Sequence, residues 1–566
     1  MPKGESEKKK KKNHKSYTPI LSGTSDWPVV QLTKNRKEFV EEVTEESVKR
    51  LKAIKPSTEQ LIEELELTLY KEKHRIKQNP WKVDPDDEYK FWSGIKSALV
   101  DISSGNGSES TPDDLLRSIV ARYADEIAGD FRRSYYRLAR EIVKFGFARL
   151  LNAARGKRFG DFFRNNYTLQ DKIQIKGKKS HIRKLAKIGT VVMVPTHFSN
   201  MDSILIGWII HVLGIPPFIY GAGLNLFNTK IFAYFMNSLG AYKVDRRKKN
   251  LIYLETLKTY STLAIQKGAH SLFFPGGTRS RSGKIEKSLK LGLLGTAIEA
   301  QRINFMENPP DTAKKIFVVP VVINYNFVLE APLLIDEYLE RKGQERYYIE
   351  TDRYSTSFGI IKFLIRFFTK GSDISVSIGQ GMDLFGNYVD DEGNSIGKDG
   401  RIIDAREYFM SNGEVVLDKQ REEQYTKLLS DAIVREYHRN NRVTASHLAA
   451  FTAFVVLRKR FPTMDLYNFL RLPPEDQIIS AEEFKTAFKK LRKRIYELKD
   501  QDRINIAPSL KGPLDDVIDE GIRHVGRYHV KRPLLKNDNG EIITENLNTL
   551  YYYHNRTVGY NLEDYV

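Results

Sequence analysis

The stretch Val191-Val-Met-Val-Pro195-Thr-His197-Phe-Ser-Asn-Met-Asp202 carries the most information about the fold. Its first five residues are apolar and rich in β-branched valine, which predicts a buried strand. Residues 202–213 have the composition of a helix. Polar residues interrupt an apolar run that would otherwise resemble a membrane helix. We therefore expect a strand that ends in a polar corner and continues into a helix, with a site at that corner.

The same alternation of strand and helix continues on the C-terminal side of this stretch. Apolar runs predict strands at 271–274, 316–324 and 373–379, and helical spacing predicts helices at 250–267 and 289–300. Continuous apolar strands that alternate with helices are typical of a mostly parallel sheet covered on both faces. The predicted fold class is therefore α/β, with a mostly parallel sheet flanked by helices.

Helical patterns before and after this region indicate further segments. Residues 17–130 are predicted to be helical, with a Ser- and Gly-rich loop at 103–112. Residues 131–151 are predicted to form a helix that either packs in the core or rests on a membrane. We predict a basic disordered tail at 1–16, an N-terminal helical region at 17–130, an α/β domain at 131–420 and a C-terminal mainly helical region at 421–566.

The chain is basic, because 91 Lys and Arg residues outnumber 72 Asp and Glu residues and give a formal net charge of +19. Such an excess favours polyanionic partners, which are nucleic acids, anionic lipid headgroups or phosphorylated substrates. The sequence contains no recognised nucleic-acid motif, so nucleic acid is not an expected partner. The lysine run at 8–12 is either a solvated tail or a weak tether to an anionic membrane.

Several residue types and motifs are absent from the sequence. Without cysteine, the chain has no disulfide, no thiolate metal site and no cysteine nucleophile. There is also no G-x-S-x-G nucleophile motif and no histidine cluster with zinc spacing. No uninterrupted apolar run reaches the roughly 18–20 residues that cross a bilayer. We therefore expect no covalent enzyme intermediate and no metal or bound cofactor, and we expect any contact with a membrane to be made at its surface.

His197 and Asp202 form a His-x4-Asp pattern directly after the predicted strand. At a corner between strand and helix, this spacing can bring the carboxylate back to one imidazole nitrogen. The carboxylate would then fix the tautomer, and the other nitrogen would accept a proton from a hydroxyl group. The alternative is a structural histidine, because short patterns of this kind also arise by chance.

A second candidate site is the segment Phe273-Phe-Pro-Gly-Gly-Thr-Arg-Ser-Arg-Ser-Gly-Lys284, where a predicted strand enters a glycine-rich turn. Small residues let backbone N–H groups approach an anion, and an arginine can bind phosphate through two hydrogen bonds. The spacing is not that of a Walker loop. An ordinary basic surface loop is the alternative. The candidate phosphate ligands are Gly277, Thr278, Arg279, Ser280 and Arg281.

Two weaker patterns accompany these sites. Residues 239–247 contain a glycine turn followed by Arg246 and Arg247, and residues 318–323 form an apolar run around Pro320. By itself, the first pattern is typical of a surface loop. The second is explained by a strand in the core.

Together and in this order, the four blocks resemble those of the glycerophospholipid acyltransferase superfamily. His197 and Asp202 match its catalytic His-x4-Asp, and Arg246 matches the arginine of its second block. Residues 274–280 resemble the third block, Phe-Pro-Glu-Gly-Thr-Arg-Ser, and Val319-Pro320 matches the fourth.

The resemblance is stronger towards the branch of glycerol-3-phosphate and dihydroxyacetone-phosphate acyltransferases. Residues 221–225 and 290–295 are similar to stretches of that branch. The similarity covers residues 113–330 well and residues 420–560 weakly. It implies that residues 131–420 form the catalytic domain, with the acyltransferase fold.

The resemblance also implies roles for individual residues. His197 would be the base and Asp202 its partner, while Arg246, Gly277 and Arg279 would hold the phosphate of the acceptor, with Arg281 as an additional ligand. Backbone amides near Gly277, or His197 after protonation, would stabilise the oxyanion. One departure stands out, because the family has a glutamate at the position of Gly276. This replacement implies either altered acceptor geometry or a weakened enzyme.

The expected function is the transfer of a fatty acyl group from acyl-CoA or acyl-carrier protein to the sn-1 hydroxyl of glycerol-3-phosphate in phospholipid biosynthesis. The acyl thioester is a co-substrate, so no cofactor is expected. We expect a peripheral or monotopic protein on the cytoplasmic face of a membrane with anionic lipid. The alternatives are a 1-acylglycerol-3-phosphate acyltransferase, a transferase for another hydroxyl or amine, and a non-catalytic protein with a degenerate acyltransferase fold that binds a membrane surface or nucleic acid.

Overall fold

The computed structural model describes residues 17–81, 84–104, 110–138, 141, 173–223, 240–343 and 374–566. A seven-stranded sheet lies at the centre of this part of the chain, with the strand order β1-β7-β6-β2-β5-β3-β4. The strands are β1 (Ile173–Gly177), β2 (Thr190–Pro195), β3 (Ile219–Gly223), β4 (Ala241–Val244), β5 (Ser271–Leu272), β6 (Ile316–Tyr325) and β7 (Ile374–Ile378).

Five neighbouring strands of this sheet, from β6 to β4, run parallel. β7 runs antiparallel to β6, and β1 pairs parallel with β7. Every residue of β2 and β6 is buried, as expected for central strands covered on both faces. The carboxyl ends of the five parallel strands therefore meet at one edge of the sheet, where α/β proteins bind their ligands.

Within the described ranges, the five helices named below precede the sheet in the chain, and residues 133–138 are helical as well. Their buried apolar side chains form a cluster that also includes side chains of the sheet edge and of a later helix. At its polar end, Arg75 forms buried ion pairs with Glu72 and Glu88. The helices are α1 (Pro28–Lys34), α2 (Arg36–Ile54), α3 (Thr58–Gln78), α4 (Glu88–Ser104) and α5 (Pro112–Ile127).

Further helices follow strands of the sheet and flank it. They are α6 (Lys179–Ile188), α7 (Asp202–Val212), α8 (Leu251–Gln266), α9 (Leu291–Glu307) and α10 (Ala331–Gly343). α8 begins at an N-cap formed by Asn250, whose side chain accepts a hydrogen bond from the backbone of Tyr253. α8 packs against α9 on one side and against α2 and α5 on the other, so it joins the N-terminal helices to the sheet region.

The C-terminal region is mainly helical. Its helices are α11 (Lys419–Asn440), α12 (Ala445–Arg460), α13 (Leu466–Phe469), α14 (Ala481–Asp500), α15 (Leu514–His524) and α16 (Leu547–His554). Short strands pair at 388–389, 395–396 and 402–403, at 410–411 with 414–415, at 442–443 with 505–506, and at 535–536 with 542–543. The buried apolar side chains of this region and of the sheet form one continuous cluster.

The predicted fold class is confirmed: a mostly parallel sheet is flanked by helices, with helical regions before and after it. The segment boundaries at 16, 130 and 420 stay predictions. Several expectations lie outside the described residues, namely the basic tail at 1–16, most of the helix at 131–151 and the later part of the stretch at 221–225. No helix in the described ranges has both the length and the apolar character needed to cross a bilayer.

Candidate active site

His197 and Asp202 meet at the corner between β2 and α7. The His197 Nδ1 atom lies 2.8 Å from Asp202 Oδ2. Asp202 is the first residue of α7 and its side chain is completely buried, while the side chain of His197 is 16% exposed. The pairing expected from the His-x4-Asp spacing is therefore present.

The Asp202 carboxylate is held by hydrogen-bond donors on both oxygens. Oδ2 accepts the backbone N–H of Phe198 at 2.7 Å and that of Ser199 at 2.9 Å. Oδ1 accepts the Tyr325 hydroxyl at 2.5 Å. Burial and the neighbouring Asp202 charge raise the pKa of Tyr325, so the phenol remains a neutral donor. Because Oδ2 accepts from these N–H groups, we assign His197 Nδ1 as a further donor to the same carboxylate oxygen.

The remaining ring nitrogen of His197, Nε2, is the atom that can take a proton from a substrate. The imidazole stacks on Phe274, with 4.1 Å between ring centroids and 22° between ring planes. The ring is thus fixed by Asp202 at its edge and by Phe274 on its face. This arrangement suits a general base that does not need to reorient during the reaction.

The glycine-rich loop after β5 lies directly against His197. The backbone N–H of Ser280 donates to the carbonyl of His197 at 2.7 Å. Gly277 adopts a φ of +76°, a conformation that favours glycine, and its N–H donates to the carbonyl of Phe274 at 2.9 Å. The N–H of Gly277 itself is therefore used within the turn, and the expectation that backbone amides near Gly277, or protonated His197, stabilise an oxyanion stays a prediction. Gly277 shapes the loop.

Arg279 reaches from this loop towards the His-Asp corner. Its Nη1 lies 3.6 Å from the Glu330 carboxylate; the side chain of Arg279 is 15% exposed and that of Glu330 is buried. Glu330 also accepts the hydroxyl of Ser199 at 3.2 Å and the backbone N–H of Asn200 at 3.0 Å. Burial raises the pKa of Glu330, and Arg279 partly offsets this rise. Arg279 is therefore next to the catalytic corner, and a carboxylate already competes for its charge.

The other candidate ligands of this loop are partly engaged. Arg281 donates to Glu337 on α10 at 3.1 Å and to the Thr278 hydroxyl at 3.4 Å. The Ser280 hydroxyl donates to the carbonyl of Lys284 at 2.7 Å. Thr278 is therefore near Arg281, whereas the side chain of Ser280 stabilises the loop itself.

Arg246 and Arg247 follow β4 at the same edge of the sheet and have different surroundings. Arg246 is exposed. Arg247 forms ion pairs with Asp84 and with Asp245, at 2.7 Å to the latter, and its guanidinium lies 4.2 Å from the ring centroid of Trp81. Arg247 thus ties β4 to the N-terminal helical region, which leaves Arg246 as the basic residue of this pair that faces solvent. β4 is three strand positions from β2, so Arg246 lies farther along the edge than Arg279.

Residues from the C-terminus complete the site. The fully buried Arg556 places its guanidinium 3.7 Å from the ring centroid of Phe198, and it donates to the carbonyl of Ile323 at 3.2 Å. Asn555 donates to the carbonyl of Ser282 at 2.8 Å. Gly283 has a φ of +80°, and a Cβ there would lie 2.3 Å from a carbonyl oxygen of α16. The end of the chain is therefore packed onto both the His-Asp corner and the glycine-rich loop.

Sequence reasoning missed three residues that touch the site: Tyr325, Glu330 and Arg556. They lie 123 to 354 residues from Asp202 along the chain, and no short motif links them to it. For these three residues, the one signal in the sequence was that Tyr325 ends the apolar strand around Pro320. Within the described residues, no three His, Asp or Glu side chains gather in a way that could hold a metal ion.

Comparisons with known proteins agree with this arrangement. Residues 173–324 match the family model described as Acyltransferase. A glycerol-3-phosphate acyltransferase of Pseudoalteromonas atlantica is 24% identical over 324 residues, which cover 56% of this chain and 35% of that protein. The proteins of the same name from Shewanella amazonensis and Aeromonas hydrophila are 26% and 29% identical, over 44% and 37% of this chain and 27% and 22% of theirs.

The aligned part therefore spans about a third or less of each of these relatives. These matches confirm the resemblance that the four sequence blocks indicated, including its direction towards the glycerol-3-phosphate branch.

Proposed function

We propose that this chain transfers a fatty acyl group to the sn-1 hydroxyl of glycerol-3-phosphate. Its residues 173–324 form an acyltransferase domain of the glycerophospholipid acyltransferase superfamily. The donor is an acyl thioester, either acyl-CoA or acyl-carrier protein. The observation that carries the proposal is the contact of the buried Asp202 with His197 Nδ1, which leaves Nε2 to accept a proton.

The proposed reaction needs no covalent enzyme intermediate. Nε2 of His197 removes the proton of the acceptor hydroxyl, and Asp202 stabilises the imidazolium that forms. The alkoxide oxygen attacks the thioester carbonyl carbon. The tetrahedral intermediate then collapses, the carbon–sulfur bond breaks, and the departing thiolate takes the proton from Nε2. An ester and a free thiol are the products, and His197 returns to its neutral form.

The acceptor phosphate is proposed to bind between the glycine-rich loop and the sheet edge. Arg279 is close enough to the catalytic corner to bring the hydroxyl to His197, and the exposed Arg246 adds positive charge along the same edge. Since Glu330 shares the charge of Arg279, a bound phosphate with two negative charges would compete with this carboxylate. We infer that Arg279 selects a phosphorylated acceptor over glycerol or a neutral lipid.

The proposed location is the cytoplasmic face of a membrane, where both the acyl donor and the lipid product are found. The net charge of +19 supports binding to a surface with anionic lipid. A peripheral or monotopic arrangement is proposed, and nucleic acid is not a proposed partner.

The proposal is tested by measuring thiol release from palmitoyl-CoA with glycerol-3-phosphate as acceptor. The wild type is compared with His197→Ala and with His74→Ala, a control that removes an exposed histidine from α3. Release that needs glycerol-3-phosphate, is lost in His197→Ala and persists in His74→Ala is the expected result. Acyl-carrier protein replaces CoA as carrier if palmitoyl-CoA gives no release.

The same assay separates the alternatives. Release only with 1-acylglycerol-3-phosphate would assign the protein to the second acylation instead of the first. An absence of release with either acceptor and either donor would refute the proposed activity. Equal release by His197→Ala and wild type would refute the role of the base.

A further inference from the structure

Glu286 lies in the space beside Gly276, the position that holds a glutamate in the family block that residues 274–280 resemble. A Cβ atom added to Gly276 would be 2.9 Å from Glu286 Oε1 and 3.1 Å from its Cγ. Gly276 has no positive φ, so its backbone could accept a side chain. The obstacle to a side chain at position 276 is the carboxylate of Glu286, which lies ten residues later in the chain and fills the space beside Gly276.

The carboxylate of Glu286 also contacts the backbone of the proposed base. The backbone N–H of His197 donates to it, while the carbonyl of His197 accepts the N–H of Ser280 at 2.7 Å. Both sides of the His197 peptide backbone are therefore held by residues of one segment, 274–286. From this backbone, the side chain of His197 extends to Asp202 and Phe274.

The surroundings of Glu286 show that it is held inside the site. Its Oε2 atom is buried and has no hydrogen-bond partner among the described residues. The pKa of Glu286 is raised to about 7, chiefly by burial and in part by Asp202, while backbone hydrogen bonds and Arg556 oppose the rise. Tyr437 also faces Glu286 from α11, and its pKa is raised by burial and by this carboxylate.

We infer that Glu286 is a positioning residue for His197, and that it supplies from position 286 the carboxylate that position 276 lacks. The inference rests on the proposed function for its activity readout. It replaces the expectation that Gly276 marks altered acceptor geometry or a weakened enzyme, because the carboxylate has moved rather than disappeared. Gly276 is then required, since any side chain there meets Glu286.

The test is to place the carboxylate at position 276 instead of position 286. Glu286→Ala removes this carboxylate and should lower kcat by about 10²-fold with little change in the KM for the acceptor, as expected for a misplaced catalytic group. Gly276→Glu alone should also lower kcat, because two carboxylates compete for one space. The double variant Gly276→Glu/Glu286→Ala should regain at least about tenfold over either single variant.

Two further variants keep the test decisive. Glu286→Gln retains an oxygen acceptor for the His197 N–H, so its kcat should stay within about threefold of wild type. Glu423→Ala removes an exposed carboxylate from α11 and is the matched control. A double variant no more active than Glu286→Ala would overturn the inference. If Glu286→Ala does not fold, a hundredfold loss in Glu286→Gln would overturn it and retained activity would support it.

Melting temperatures of the same variants separate this inference from the proposed function. Gly276→Glu should destabilise the wild type by several degrees and should be tolerated in the Glu286→Ala background. A wild type that is inactive with every acceptor refutes the proposed function, and the melting curves still decide whether positions 276 and 286 share one space. Additive shifts in melting temperature would show that they do not, and would overturn the inference.

Discussion

Replacing Asp202 by asparagine tests the central assumption that a buried negative charge supports His197. The substitution keeps the size of the side chain and removes its charge. An asparagine oxygen can still accept from His197 and from the two backbone N–H groups at 198 and 199. Its amide would face the hydroxyl of Tyr325, which can rotate to accept instead of donate. The fold should therefore survive.

The expected effect follows from the geometry of the pair. The nitrogen and oxygen are 2.8 Å apart, and both groups are largely shielded from water. Two unit charges about 4 Å apart interact by about 4 kcal/mol at an effective dielectric constant of about 20. This interaction exists only when His197 is protonated, so it lowers the barrier more than the energy of the ground state. Since about 1.4 kcal/mol corresponds to a factor of ten in rate, kcat should fall about 10³-fold.

The assay is thiol release at saturating donor and acceptor. Asp311→Asn, which removes an exposed carboxylate, is the control. The KM for the acceptor should change little, because Asp202 does not contact the substrate in the proposed reaction. Tyr325→Phe should cost less, about tenfold, since it removes one of several hydrogen bonds to the same charge. A folded Asp202→Asn variant that keeps more than a tenth of the wild-type kcat would refute the reasoning.

Further predictions concern the basic residues and the loop. Arg247→Ala should lower the free energy of unfolding by about 3–5 kcal/mol, because it removes the cation paired with the buried Asp245 and one of the two arginines paired with Asp84. Arg246→Ala should keep the melting temperature and raise the KM for the phosphorylated acceptor. Equal melting temperatures for the two variants would contradict this distinction. Arg279→Ala should raise the KM for glycerol-3-phosphate by about 10- to 100-fold, the loss of a charged hydrogen bond; an unchanged KM would refute the phosphate contact. Gly283→Ala should destabilise the protein by about 1–3 kcal/mol in chemical denaturation, because the added methyl group collides with a carbonyl oxygen, and an unchanged midpoint would contradict this packing. Between pH 4.5 and 7, the stability of the wild type relative to Glu286→Gln should fall by up to about 3 kcal/mol, because a raised carboxyl pKa binds a proton in the folded state only; a constant difference across this range would show that the pKa is not raised.

The sequence was sufficient to predict the sheet and the contact between His197 and Asp202. The run of valines before Pro195 is buried on both faces, as continuous apolar strands are in parallel sheets. The His-x4-Asp spacing also predicted a contact correctly, since the corner between β2 and α7 is short and its geometry is local. The spacing of residues along the chain restricts local geometry. It was therefore sufficient to predict the buried strand and the contact between His197 and Asp202.

Other parts of the site depend on contacts between distant segments. Glu330 and Arg279 meet because β6 and β5 flank β2 on opposite sides, which no spacing within one motif can reveal. The sequence offered Arg246 and Arg247 as an equivalent pair, yet only the fold shows that Asp84, from a loop of the N-terminal region, binds the second of them. The sequence suggested altered acceptor geometry or a weakened enzyme at Gly276, because only the three-dimensional structure shows that Glu286 lies beside it.

The packing of Arg556 onto Phe198 has a consequence for how the protein is made. His197 is translated 359 residues before Arg556, which packs beside its corner. Until residue 556 emerges, the ring of Phe198 lacks the guanidinium that packs on it, and Asp202 and Glu286 lack its positive charge. We expect chaperones to hold this corner during translation, and we expect no acyl transfer by ribosome-bound chains stalled before that residue.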